Sequence, residues 1–544
     1  MGESESAAAP PVPAGLFARN ATGLVRAVSP RSAYILNFIP GAPVQALGYG
    51  LFFAFALFPG GNFFVAGLLA LPLTLAYAYS FGLLTSMIPR TGGDYVLVGR
   101  VLNPWLGLIS SFCMTVANVL SVAFFGVVVL QLGLAPGLVG LGLIGNHPTL
   151  VHWGATVGSS LGWKWAIGTG LFVAGALIMA WGWRWTARLQ AILLGIVMLS
   201  LFVGALVALF TTHGDFVSNF NHFAQPYTHN PDTYNTMLAK ATKSGLNIHP
   251  AFSFLNTIPV IGIFASFGIY SYFSTFVGGE LRFARTSKTA NTMAVAGVSA
   301  IVVILIFAAI FLRTFGSAFM TAANGGAMPA QIGATPTYFF LIAASAGSTV
   351  LGVFLLIGYM LFFPLITYMA FLQPVRMIFA YAFDGILPKA FTNLSKKTRS
   401  PYIALIATVV LTEAVFAWAV NSSSIFVVVV YAVLIQLIAM ALVGLAAVLV
   451  PWRRPELYRA GSTTRTLARI PVVTIAGAGS ILAAIFIWVL YFHYAGFGLA
   501  VKSHFFVWVG ATIGAAVIYY LVVKEVRRRQ GVDLARVYAE IPPE

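Results

Sequence analysis

Charge is scarce in this sequence: only 8% of its 544 residues are Asp, Glu, Lys or Arg. A water-soluble domain carries about 25%, so an ordinary soluble fold is excluded. Cysteine occurs once, at Cys113, which rules out a disulfide framework. That thiol falls within an apolar stretch and reads as a packing residue. The histidines at 213, 222, 229 and 249 match no zinc-ligand spacing, so no metal or cofactor is expected. There is no G-x-S-x-G, no HExxH and no His/Asp cluster within the apolar stretches, which argues against a membrane enzyme. A channel is disfavoured because no ring-forming acidic or carbonyl-filter motif is present. A transport-derived sensor is disfavoured because the tails are short and hold no signalling domain. A leader with an apolar core is also missing. Residues 1–30 are rich in Pro and Ala, contain Glu3 and Glu5, and read as a disordered tail.

Long apolar runs are what the chain has in quantity. Hydrophobic residues make up 59% of it, and the mean hydropathy is +0.91. Segments long enough to cross ~30 Å of hydrocarbon are expected near 33–58, 63–87, 105–133, 165–183, 189–212, 253–277, 291–315, 338–371, 401–420, 424–450, 471–495 and 504–523. The expected class is an all-α polytopic membrane protein with twelve transmembrane helices. The charge of +17 follows that topology. Of thirty lysines and arginines, only Lys164, Lys240, Lys243, Arg313 and Lys502 fall on one side of the alternating connections. This bias predicts a cell (inner) membrane protein with both termini in the cytoplasm, and it makes a nucleic-acid partner remote. Trp163, Trp165, Trp181, Trp183 and Trp185 fit interfacial anchors.

Two of the apolar runs are interrupted, and they lie at corresponding places in the two halves. The first interruption is Asn37-Phe38-Ile39-Pro40-Gly41-Ala42-Pro43-Val44-Gln45. Pro40 and Pro43 remove amide donors, and Gly41 adds freedom for close approach of a ligand. Two half-helices result, with free amides that suit an anion and free carbonyls that suit a cation or ammonium. A plain proline kink is the competing reading, and Pro72 and Pro364 interrupt other spans singly. The second interruption surrounds Gly268, with Phe264, Phe267, Tyr270 and Tyr272 about it. Those rings suit a side-chain pocket or, alternatively, simple aromatic packing. Backbone breaks survive in a bilayer only where protein or a polar cavity receives them, and paired breaks point to a carrier's substrate site.

Three further motifs carry a resemblance. Pro89-Arg90-Thr91-Gly92-Gly93-Asp94-Tyr95, Gly278-Gly279-Glu280-Leu281-Arg282 and the Arg376–Pro388 stretch (RMIFAYAFDGILP) resemble motifs at helix ends in the amino acid–polyamine–organocation (APC) superfamily. The resemblance covers about residues 25–450. It implies a five-plus-five inverted repeat with discontinuous helices 1 and 6 and two peripheral helices. In that reading, 31–212 is the first repeat, 213–252 an extracytoplasmic loop and 253–450 the second repeat. Residues 451–523 then form the peripheral helices and 524–544 a cytoplasmic tail. It also implies alternating-access transport of a small amino acid or related amine, with a lipid bilayer as its only other surroundings. Carried onto this sequence, the substrate-binding residues are Asn37, Pro40, Gly41, Ala42, Pro43, Phe264, Ala265, Ser266, Phe267, Gly268 and Tyr272. A cytoplasmic gate is expected from Arg90, Asp94, Glu280, Arg376 and Asp384, with Asp94 and Asp384 in ion pairs or helix caps with nearby arginines.

The chain departs from the family pattern at the first break, which usually reads Gly-x-Gly. Pro43 removes an amide that would help hold a carboxylate, which leaves room for an amine or another small polar solute. The spacing from Gly268 to Glu280 is also longer than usual. The fifth span has no lysine, which some proton-coupled relatives carry, and Thr367 stands alone where a sodium site needs several oxygens. Glu413 is the candidate for a co-transported proton, because a carboxyl within a span is costly; a neutral, hydrogen-bonded Glu413 is the competing reading. No carboxylate lies in the first, third, sixth, eighth or tenth span. That favours a neutral or aromatic amino acid over a polyamine, with Asn37, Gln45, Asn118, Tyr272 and Gln436 as polar contacts.

Overall fold

The structure, a computed structural model, describes residues 24, 26–50, 54, 55, 57–333, 336–421, 425–497, 502–531, 534 and 538. The expected N-terminal tail lies outside the described residues except near its end, as does most of the expected tail beyond residue 531. Among the described residues, eleven helices are long and apolar enough to cross a membrane. The only strands among them are the two-residue pair Thr466–Leu467 and Ile470–Pro471. The chain is therefore an all-α polytopic membrane protein. The expected first span is not among the eleven because it is interrupted: its opening helix, Pro30–Phe38, has nine residues.

Local sequence writes the helix starts. Asn62 accepts from the amides of Phe64 and Val65 at 3.0 Å each and opens Phe63–Met87. Asn103 accepts from the Leu106 amide at 2.9 Å, and Pro104 follows it at a position that needs no amide hydrogen. Span boundaries move where such signals sit. Gly347 (φ 64°) and the cap Ser348 separate Tyr338–Ser345 from Thr349–Phe383, so the expected 338–371 run is two helices. The expected 105–133 span extends from Pro104 to Ile144, with a π-helical stretch at Val129–Leu134. Much of the expected loop 213–252 is helical as well. His213–Thr228 and Thr233–Lys243 bury Phe216, Phe220 and Tyr234 against Phe315 and Phe319.

The single prolines and the clustered ones behave differently. Helices run without a break through Pro72, Pro364 and Pro374. At the first interruption the chain instead passes from Pro30–Phe38 into a 3-10 turn, Ile39–Gly41, and then into Ala42 at φ 45°, ψ 54°. Pro43 disfavours right-handed geometry at the residue before it. Ala42 takes the left-handed one, which costs a residue with a Cβ roughly 1–2 kcal/mol. The second interrupted segment is helical over Phe254–Gly268 and continues as 3-10 turns at Phe273–Phe276 and Gly278–Glu280.

The glycines of the two breaks let helices approach one another. A Cβ on Gly41 would lie 2.8 Å from the Ala300 methyl, and one on Gly268 would lie 2.0 Å from Thr74 Oγ1. At Gly41 the side that a Cβ would occupy is filled by the Lys288–Phe315 helix. Gly268→Ala is expected to lower the unfolding midpoint in detergent, by an overpacking cost of about 1–3 kcal/mol. Adding Thr74→Ala should recover part of that loss; a midpoint equal to wild type in Gly268→Ala would show that the approach is looser than described.

Candidate substrate site

The two breaks are joined to each other. Asn37 donates through Nδ2 to Ser274 Oγ at 3.1 Å, and its Oδ1 accepts from the Ser274 amide at 2.8 Å. Both residues are buried. One side chain therefore satisfies the turn that follows the second break, where helical bonding has lapsed.

Beside this junction lies a cavity of about 360 Å³, within the range of small-molecule sites. Pro40 and Gln45 reach it from the first break, and Ser266, Phe267, Tyr270 and Phe273 from the second. Asn118, Ser121, Phe124 and Phe125 line it from the Pro104–Val128 helix, Ile366, Met369 and Ala370 from Thr349–Phe383, Tyr491 from the Val472–His493 helix and Phe497 from the turn that follows it. Among the described residues, no charged one lines it. Its polar groups differ in how far they are already used. Ser266 Oγ donates to the Gly262 carbonyl at 2.7 Å, Ser121 Oγ to the Ala117 carbonyl at 2.8 Å, and Asn118 Nδ2 to the Met114 carbonyl at 2.9 Å. Among the described residues, none hydrogen-bonds to Asn118 Oδ1 or to the Gln45 side-chain amide, and both residues line the cavity.

Of the residues expected to bind substrate, Pro40, Ser266 and Phe267 line this cavity, and Asn37 joins the two breaks beside it. Gly41 and Gly268 face neighbouring helices, Ala42 carries the backbone turn, and Pro43 borders a separate small gap with Leu194 and Phe362. Phe264 and Ala265 are buried in packing. Tyr272 lies off the cavity: its ring stacks on Phe81 at 4.4 Å, and its hydroxyl meets Met114 Sδ at 3.3 Å and accepts from Gln436 Nε2. Phe124, Phe125, Met369, Tyr491 and Phe497 were not singled out from the sequence. An apolar residue facing a cavity has the same period as one facing another helix.

Two buried ion pairs lie at the arginine-rich end of the bundle. Arg376 meets Glu280 at 3.0 Å, and Arg100 meets Asp384 at 2.8 Å. The partner of Asp384 is Arg100, whose role the motif did not reveal. Tyr95 also donates to Asp384 at 2.8 Å. The Tyr538 hydroxyl lies 2.6 Å from that of Tyr95, with the Arg100 guanidinium 4.7 Å from the Tyr538 ring. Burial raises the pKa of Glu280, opposed by the charge of Arg376. Arg90 is half-buried and donates to the Pro89 carbonyl at 3.0 Å.

Asp94 departs from the expected ion pair. It is fully buried, and its Oδ2 accepts from Ser110 Oγ at 2.7 Å. Its Oδ1 has no donor in hydrogen-bonding geometry. Burial pushes its pKa up to about 7, against smaller lowering effects from Ser110 and the nearby amides of Asp94 and Tyr95. Glu413 sits elsewhere, away from the cavity, with Oε2 accepting from Thr169 Oγ1 at 3.1 Å. Among the described residues, no three His, Cys, Asp or Glu come together as a metal site.

A helical membrane bundle with a solute-sized cavity at two joined breaks defines a transporter. The sequence profile of the family described as amino acid permease matches residues 34–522, and the chain belongs to that family, within the APC superfamily. No curated protein matches the chain significantly.

Replacing Arg100 with Met is expected to destabilise the arginine-rich end by about 3–5 kcal/mol, because Asp384 is left buried without its cation. Arg100→Met combined with Asp384→Leu should recover most of that, as read from unfolding midpoints. Equal midpoints for the single and double variants would show that the pair contributes nothing.

Proposed function

We propose that this permease is a secondary carrier of a neutral or aromatic amino acid, working by alternating access. The observation that carries the reading is the uncharged, aromatic-rich cavity between the two breaks. A cationic amine or polyamine would be desolvated there without a carboxylate to compensate it. A zwitterion finds amide groups instead: Gln45 can donate to its carboxylate, and Asn118 Oδ1 can accept from its ammonium. Phe124, Phe267 and Tyr270 offer an apolar or aromatic side chain its contact area. The Gly-rich amide cradle usual in the family is replaced by Pro40 and Pro43, so side-chain amides take over part of carboxylate recognition.

The same reading gives the chain a five-plus-five inverted repeat, with the segment from Pro30 counted as a twelfth span. It places the arginine-rich end in the cytoplasm, in line with the positive-inside bias. The Glu280–Arg376 and Arg100–Asp384 pairs then form the closed inner gate, which must separate to release substrate inward.

Uptake of radiolabelled neutral, aromatic and cationic amino acids into proteoliposomes tests this directly. Saturable uptake of a neutral or aromatic member, accelerated by unlabelled substrate inside, is expected. Asn118→Ala should raise its KM about tenfold, the value of one lost hydrogen bond of ~1.4 kcal/mol. Uptake confined to cationic amines would contradict the reading.

A further inference from the structure

Three buried carboxylates lie near the arginine-rich end, and only two of them have a cation. Glu280 is paired with Arg376 and Asp384 with Arg100, whereas Asp94 has no cation: Ser110 donates to Oδ2, and Oδ1 has only the amides of Asp94 and Tyr95 nearby, none in full hydrogen-bonding geometry. An ionised carboxylate buried without a cation or a full set of hydrogen bonds is expensive, and such a group accepts a proton instead.

Asp94 is also connected to the cavity. Ser110, Met114 and Asn118 recur every four residues and so share one face of the Pro104–Val128 helix. Ser110 holds Asp94, Met114 receives the Tyr272 hydroxyl, and Asn118 lines the cavity. The Asn118 side chain binds the Met114 carbonyl one turn away. A change at the cavity and a change at Asp94 therefore act on one rigid face.

We propose that Asp94 is the carboxyl that takes up and releases a co-transported proton, linked to the substrate cavity through the Ser110–Met114–Asn118 face. The proposal rests on the carrier reading given above. With the arginine-rich end closed, Asp94 is dry and holds a proton as a neutral carboxylic acid. When the Arg100–Asp384 and Glu280–Arg376 pairs separate, water reaches Asp94, the proton leaves to that water, and the side chain becomes a carboxylate. The lost proton is replaced from the cavity side before the two pairs re-form, so one proton is carried per cycle and the side-chain charge alternates between zero and minus one. The sign agrees with burial: the closed form holds the proton up to about pH 7, whereas a hydrated Asp releases it above about pH 4.

The surroundings leave Asp94 as the group that titrates. Cys113 faces it from its own side of the Pro104–Val128 helix, Tyr381 from the Thr349–Phe383 helix, and Tyr272 from the second break. Thiols and phenols ordinarily titrate well above neutrality. Tyr95 and Arg100, on the short helix Gly93–Val101 that also carries Asp94, are engaged with Asp384. The Ile425–Arg453 helix carries no charged residue before Arg453.

Two measurements on the full-length protein in proteoliposomes and detergent test this. Asp94→Asn is expected to abolish substrate accumulation driven by an inward proton gradient while retaining exchange against internal substrate. In infrared difference spectra between acid and alkaline pH, a protonated-carboxyl band should be present in wild type and absent from Asp94→Asn. Ser110→Ala removes the hydroxyl that favours the ionised form, so the midpoint of that band should move to higher pH. Gradient-driven accumulation by Asp94→Asn equal to wild type, or a band that persists in it, would overturn the assignment and leave the carrier reading intact. A wild-type protein that exchanges substrate but ignores the gradient would also overturn the assignment alone. A wild-type protein with no flux of any kind would overturn the carrier reading and the assignment with it.

Discussion

The pair of hydrogen bonds between Asn37 and Ser274 is the contact on which the rest of the site depends. A helix can stop within hydrocarbon only if the groups it frees find partners, and here Asn37 at the first break supplies one for the Ser274 amide after the second. Pro43 forces the chain out of helical geometry at Ala42, and Asn37, one turn earlier, secures the segment to the backbone beyond the second break. The two interrupted elements are thereby held at one level of the bundle. The cavity lies where they and the Pro104–Val128 helix fail to fill space.

Packing then divides the labour among residues that look alike in sequence. Gly41 and Gly268 both suggest openness to a ligand, yet each is small so that a helix can come close. Pro40 and Phe267, next to them in the chain, are the ones that reach the cavity. The same division holds among the acids. Glu280 and Asp384 are each paired with an arginine, Asp94 has no cation, and Glu413 lies against Thr169 away from the cavity. Breaking a paired group leaves a charge stranded at several kcal/mol. Protonating Asp94 removes a charge that has no partner.

Much of the fold was legible before any coordinates. The apolar runs, the charge bias and the Pro-Gly-Ala-Pro interruption follow from one-dimensional rules, because a bilayer imposes a length and a polarity on each helix. The helical hairpin at 213–243 was not legible, since its amphipathic helices resemble a polar loop in hydropathy. The site was legible only at its level. Which side chains face the cavity depends on helix rotation, and sequence period alone does not tell a cavity from a neighbouring helix. The partner of Asp384 was hidden for a similar reason: Arg100 lies 284 residues away and is one of many arginines at that end.

The central claim is that the cavity between the breaks is where substrate sits. The chain offers a clean way to examine it, because Cys113 is buried and is the only cysteine. With Cys113→Ala as background, Ser121→Cys places a thiol in the cavity wall and Thr169→Cys places one beside Glu413. The rate of maleimide labelling at each should be measured with and without a transported amino acid. Substrate is predicted to slow labelling at position 121 and leave position 169 unchanged. Equal labelling at position 121 with and without a substrate that the same protein transports would contradict the account.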